Sequence, residues 1–302
     1  MNLSLKDPMF AIVTPFTDDG ENIDYSALEK YLNFLQEKGV QTIITGGTTG
    51  EFASLTLEER KELLTFCRRH FNGKIVNHIG TSSMKDTIAL LEFSSQYSDA
   101  VISLAPYYYA NAEEEGIYQY FRAILQKTSM PFYLYNFPKH TQITITKETI
   151  LKLKEEFPHL AGIKDSSGDF ALSKLYHTTG VEVFVGSDTR ALETINEGMS
   201  GNAVGGANVV PEFLVEIVAS YRKNDVERAK RFFEAYKVWN SFRKSLGVNE
   251  IALIKCGLAF RIENFPMAVR LPLMPLNDDK KKMIHEKIEK EILPKLEQML
   301  AE

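Results

Sequence analysis

In the stretch LAGIKDSSGD, residues 160 to 169, an apolar run ends on Lys164 and breaks into small polar residues. Buried lysines are rare unless they are paired or do chemistry, so two readings are open. Lys164 is a strand-end lysine that snorkels to water and pairs with the adjacent Asp165, or it is an amine whose ammonium form an apolar surround disfavours and which attacks a ketone carbon. Other groups suit the second chemistry. The iminium formed in this way is an electron sink for making or breaking a carbon-carbon bond, and the protons involved need a group that gives and takes. A phenol such as Tyr135 in YNFP, bonded to a hydroxyl neighbour, can do this; its plain alternative is a core tyrosine with a satisfied hydroxyl. Thr48 and Thr49, set among Gly46, Gly47 and Gly50 in GGTTGE, either bind an anion through backbone N–H groups or simply form a tight turn. The sequence offers no trio of metal ligands and no paired acid and base carboxylates among these groups, so amine catalysis without a metal or other cofactor is the fitting class.

A scaffold must bring these residues together. Short apolar runs recur at FAIVTPF (10–16), TIITGG (42–47), KIVNHIG (74–80), AVISLAPYYY (100–109), PFYLYNFP (131–138), LAGIKDSS (160–167), VEVFVGSD (181–188) and GNAVGGAN (201–208). They are continuous rather than alternating, as strands of a helix-covered parallel sheet are. The spacers carry helix signals. Thr56 and Glu59 have capping-box spacing, Asn111 and Glu114 offer a similar start, Asp24 can cap the segment that ends at Gly39, and Pro211 opens another. Repeated strand-helix units with right-handed crossovers predict a (β/α)8 barrel over residues 1–222. A doubly wound sheet is the alternative, but no GxGxxG follows the first strand. Residues 223–302 read as an appended helical region, in which Phe232, Phe233, Tyr236, Trp239 and Phe242 form an apolar face that packs on the barrel or on a neighbouring subunit.

In such a barrel reactive groups gather at the C-terminal strand ends. That rule selects GGTTGE, PYYY (106–109), YNFP, Lys164, GSD (186–188) and GGAN (205–208). A formal net charge of -5, with both signs scattered, argues against a nucleic-acid partner. Cys67 and Cys256 stand alone without a CxxC, and MNLSLKDPMF lacks a basic segment followed by a long apolar core. The expectation is a cytoplasmic, non-membrane protein with a small-molecule partner. His78 in IVNHIG points either into the barrel or to a structural partner, whereas His70, His159, His177 and His285 read as surface groups.

GGTTGE, PYYY, YNFP and GIKD, in this order and at these intervals, resemble the dihydrodipicolinate synthase and N-acetylneuraminate lyase superfamily, and GSD with GNAVGGAN continues the match. The resemblance implies a Schiff base between Lys164 and the keto carbon of pyruvate, or of a sugar acid cleaved to pyruvate. It makes Tyr135 the proton shuttle and gives the pyruvate carboxylate to Thr48 and Thr49, with the Thr48 hydroxyl joining a relay. The relay's second tyrosine comes from PYYY and reaches across a subunit interface; Tyr108 is the choice, with Tyr107 and Tyr109 open. Gly186 and Asn208 match pocket-lining positions, and a homotetramer built from tight dimers is implied.

Departures bear on the substrate. The synthase pattern runs Tyr-Asn-x-Pro-x-Arg-Thr-Gly, where the arginine binds the aldehyde substrate's carboxylate, but here YNFPKHTQ places His140 there. An imidazole lacks the forked contact of a guanidinium. The lyase branch usually has serine at the place of Asn136. The sequence is nearest the 2-keto-3-deoxygluconate aldolase branch, although an arginine after PYYY is replaced by Ala110 and Asn111. The reading is a pyruvate-dependent lyase acting on a 2-keto-3-deoxy sugar acid with a neutral tail. The alternatives are dihydrodipicolinate synthase, a non-catalytic keto-acid-binding barrel, and a phosphate-ester enzyme using GNAVGGAN as a phosphate cradle.

Overall fold

The computed structural model describes residue 5 and residues 7–302. Residues 1–4 and 6, which belong to the 1–222 segment and to the opening read for a leader, lie outside them. Eight parallel strands close a barrel in sequence order: β1 (Met9–Ala11), β2 (Thr42–Thr45), β3 (Lys74–His78), β4 (Ala100–Leu104), β5 (Phe132–Asn136), β6 (Leu160–Asp165), β7 (Glu182–Val185) and β8 (Gly201–Val204). Each starts within a residue of an apolar run read from the sequence. The rest of each run becomes the loop that leaves the C-terminal end of its strand. The strands are buried almost end to end because the barrel interior takes one face and the helical layer the other.

The helices of that layer are α1 (Tyr25–Glu37), α2 (Leu57–His70), α3 (Met84–Ser94), α4 (Glu114–Leu125), the single turn α5 (Pro138–Thr141), α6 (Lys147–Glu156), α7 (Phe170–His177), α8 (Ala191–Asn196) and α9 (Pro211–Arg222). Their ends follow local chemistry. Asp24 accepts the Ala27 N–H at 2.9 Å, and Gly39 turns the chain away from α1 at a φ of 81°. Thr56 and Glu59 close a full capping box on α2, and Pro211 occupies the first turn of α9. At α4 the expectation fails: Glu113 is the N-cap residue and no side chain caps the helix. The Glu114 carboxylate instead accepts the Thr146 hydroxyl at 2.5 Å, which ties α4 to α6 and leaves Asn111 exposed.

The chain ends in α10 (Val226–Ser245), α11 (Glu250–Arg261), α12 (Asp278–Lys287) and α13 (Leu293–Ala301). Phe232, Tyr236 and Trp239 of α10 share one apolar core with Leu28, Leu32 and Phe213 of the barrel's outer layer. Among the described residues no helix is long and apolar enough to cross a membrane. Both cysteines are free and buried.

Candidate active site

β5 and β6 pair with Tyr135 opposite Lys164 and Asn136 opposite Asp165. Successive side chains of a strand point to opposite faces. Lys164 and Tyr135 therefore enter the barrel together, while Asp165 turns toward α7, where it accepts Ser173 Oγ at 2.6 Å, Asn136 Nδ2 at 2.9 Å and the Ser167 N–H at 3.0 Å. This alternation is why Lys164 does not pair with Asp165, whose Oδ2 accepts the Ser167 hydroxyl at 3.0 Å as well. Lys164 is 6% exposed, with Nζ 4.4 Å from the centroid of the Tyr135 ring.

The loop after β2 delivers the two threonines. Its turn is closed by Gly50 N–H to Gly47 O at 3.0 Å and Glu51 N–H to Thr48 O at 3.1 Å, and Thr14 Oγ1 donates to Gly50 O at 2.8 Å. Thr48 Oγ1 lies 3.5 Å from the Tyr135 hydroxyl. That is longer than a closed hydroxyl hydrogen bond, in the range that bound substrate tightens. Lys164, Tyr135, Thr48, Thr49 and Gly186 all line one cleft of about 600 Å³ at the barrel mouth. Gly186 is required by contact: a Cβ there would stand 2.0 Å from Ser166 Oγ.

Asn208 falls outside this set. It is fully buried; Nδ2 donates to Ala11 O at 2.8 Å and Gly205 O at 2.6 Å, and Oδ1 accepts the Tyr31 hydroxyl at 2.6 Å. Both its Nδ2 donors and its Oδ1 serve to tie the loop after β8 to β1 and α1, and it is not among the residues that line the cleft. Gly205 and Gly206 of the same loop do line the cleft, and neither tolerates a side chain: a Cβ on Gly205 would meet Thr49 Oγ1 at 2.5 Å, and one on Gly206 would meet the Arg243 guanidinium at 1.8 Å.

None of the PYYY tyrosines lines the cleft of its own chain. Tyr107 is half-buried with its ring centroid 5.8 Å from that of Phe52, and Tyr109 is exposed. Tyr108 is 85% exposed and holds a φ of 84°. A left-handed tyrosine is costly, and such strain concentrates at functional positions.

His78 is a structural residue of the barrel interior, with Nδ1 2.9 Å from Gly46 O and Nε2 3.4 Å from the Leu104 N–H. Burial, with Arg60 beside it, drives its pKa well below the ordinary range, so it stays neutral. His177 is exposed as expected; His70, His159 and His285 are half-buried, His285 lying 3.0 Å from Cys256 O. His140, on α5, lines the cleft, and burial together with Lys139 lowers its pKa. It is therefore neutral at pH 7.

The far wall of the cleft comes from the C-terminal helices and is absent from the residues read in the sequence. Asn240, Arg243 and Lys244 of α10 and Glu250, Leu253 and Ile254 of α11 line it. Arg243 is buried and donates to Asp188 Oδ2 at 2.6 Å and Asn240 Oδ1 at 2.7 Å, with Glu250 as a second carboxylate partner. Tyr236 donates to the same Asp188 oxygen at 2.6 Å. One signal was available: 232, 236, 239 and 243 share a helix face, and arginine interrupts an otherwise aromatic stripe.

An amine and a phenol thus meet at adjacent strand ends of a (β/α)8 barrel. The family model of the dihydrodipicolinate synthetase family matches residues 4–291. The chain is 32% identical over 289 residues to the 4-hydroxy-tetrahydrodipicolinate synthase of Chlorobium phaeovibrioides, covering 94% of this chain and 96% of that one. Among solved structures it is similar to the 2-keto 3-deoxygluconate aldolase from Picrophilus torridus, at 28% identity, a TM-score of 0.82 and coverage of 89% of this chain and 97% of that one. It shares its fold with YagE, a prophage protein from E. coli K12, at 23% identity, a TM-score of 0.87 and coverage of 93% and 97%. The chain belongs to the dihydrodipicolinate synthetase family, and it is a lyase.

Proposed function

We propose that this lyase makes or cleaves a 2-keto-3-deoxy sugar acid with pyruvate as the common three-carbon unit. The observation that carries the reading is the Lys164 amine, buried against the Tyr135 ring at 4.4 Å, with Thr48 next to the phenol. Lys164 attacks the keto carbon of pyruvate and water leaves, giving the iminium. Tyr135 carries away a methyl proton to form the enamine, whose carbon adds to the aldehyde while Tyr135 returns that proton to the new alkoxide, and water then hydrolyses the product iminium to release the keto acid and free Lys164. Cleavage runs the same steps backward, with Tyr135 taking the proton of the substrate hydroxyl. Thr48 and Thr49 hold the pyruvate carboxylate, Gly186 leaves room beside it, and no resident cofactor enters the scheme.

The acceptor end supports a neutral, hydroxylated tail. Arg243, the buried cation of the far wall, already faces two carboxylates, Asp188 and Glu250. Lys139 and Lys244 at the rim are exposed, where charge is screened. The synthase reading is favoured by the name of the Chlorobium relative; against it stands neutral His140 in place of the carboxylate-binding arginine of that branch. With pyruvate as donor, glyceraldehyde is expected to give kcat/KM at least about tenfold above glyceraldehyde 3-phosphate and aspartate semialdehyde, roughly 1.4 kcal/mol of discrimination. A preference for aspartate semialdehyde would overturn the reading in favour of the synthase.

The same proposal includes a cytoplasmic homotetramer of tight dimers in which Tyr108 completes the relay of the neighbouring subunit. The exposure and strained φ of Tyr108 support it, and the two free thiols suit a reducing compartment. Light scattering is expected to give four chains per particle. A monomer with full activity would remove Tyr108 from the relay.

A further inference from the structure

We propose that the buried pair of Glu51 and Lys255 is a positioning device that holds Thr48 and Thr49 in the orientation that receives the pyruvate carboxylate, an inference that rests on the function proposed above. Glu51 directly follows the threonine turn, and its own N–H bonds Thr48 O at 3.1 Å. Its φ of 57° is left-handed, a conformation that a non-glycine residue keeps only when its surroundings enforce it. The enforcement is visible. The Glu51 carboxylate is buried against Lys255 Nζ at 2.6 Å, and Lys255 is 0% exposed in the middle of α11. Oε2 of Glu51 accepts the Arg270 N–H at 3.0 Å, Lys255 also donates to Ala268 O at 2.6 Å, and its Nζ sits 4.2 Å from the centroid of the Phe16 ring.

Two features set this pair apart from ordinary packing. Desolvation makes a buried ion pair a poor source of stability compared with apolar residues of the same shape. Burial in fact pushes Lys255 down to about 8, against the pull of Glu51. In addition, the same helix contributes Leu253 and Ile254 to the cleft wall. The pair therefore fixes the pyruvate end of the site relative to the acceptor end. Arg270 extends the brace, donating to Glu59 Oε2 at 2.9 Å, Ser54 O at 2.9 Å and Gly20 O at 2.9 Å.

The test uses steady-state kinetics with varied pyruvate and thermal melting on the wild type, on Glu51→Gln, and on the double variant Glu51→Gln with Lys255→Met. Glu51→Gln strands the buried ammonium, and KM for pyruvate is expected to rise about tenfold or more, with kcat within about threefold. The double variant removes both charges, so its melting temperature should return toward wild type while KM stays raised. A merely structural pair would give the opposite pattern, with KM restored alongside stability, and that result would overturn the proposal. If Glu51→Gln does not fold, the double variant decides alone. Borohydride trapping of pyruvate on the wild type separates the two levels: no adduct sinks the functional reading and this inference with it, whereas an adduct with unchanged KM in the double variant sinks this inference only.

Discussion

Incubation with pyruvate and borohydride is expected to add one reduced pyruvate adduct per chain, on the peptide that carries Lys164, and Lys164→Ala is expected to remove both the adduct and about 1000-fold or more of the turnover. The selectivity follows from the surroundings of each lysine. Lys255 is equally buried, but its ammonium is held by Glu51 and Ala268 O. Lys139 and Lys244 reach the cleft, but they are exposed and, among the described residues, neither Nζ stands over a tyrosine ring. Lys164 alone among these four combines burial, access to the cleft and a tyrosine ring against Nζ. Peptide mass mapping checks the site; an adduct on any other lysine, or none on a folded protein, would end the mechanism.

Tyr135→Phe is expected to lower turnover by about 100- to 10,000-fold, the usual worth of a positioned acid-base group. The substitution removes one oxygen and leaves the ring in place, stacked on Phe137 with centroids 5.7 Å apart and still against Lys164. The hydroxyl makes no contact other than the long one to Thr48 among those described, so its loss strands no buried partner. The melting temperature should therefore move little while kcat collapses, and the adduct should still form, more slowly. Turnover within a few-fold of wild type would exclude Tyr135 as the proton carrier.

The strands were legible because buried parallel strands need continuous apolar runs, and all eight runs carry one. The rule that chemistry gathers at C-terminal strand ends points to the segments that carry Lys164, Tyr135, Thr48, Thr49 and Gly186, and these five share one cleft. Asn208 shows the limit of that rule. A residue can follow a barrel strand closely and still be turned away from the mouth, as the short helical turn Gly206–Val209 turns this one. The helix start at Asn111 was misread because capping spacing says nothing about a carboxylate that finds better partners on a neighbouring helix. The far wall of the cleft was hidden for a different reason. Arg243 and Asp188 are 55 positions apart, and only the packing of α10 across the barrel mouth makes them neighbours.

If the proposed function holds, that packing assigns the two halves of the reaction to different parts of the polypeptide. The barrel strands carry the groups that would activate the three-carbon donor, and the helices after β8 shape the space where its partner must sit. On the proposed function, substitutions in α10, and in α11 away from Lys255, are expected to retune which aldehyde is accepted while the donor machinery stays in place, and a repertoire of related catalysts can diversify from one end of the chain.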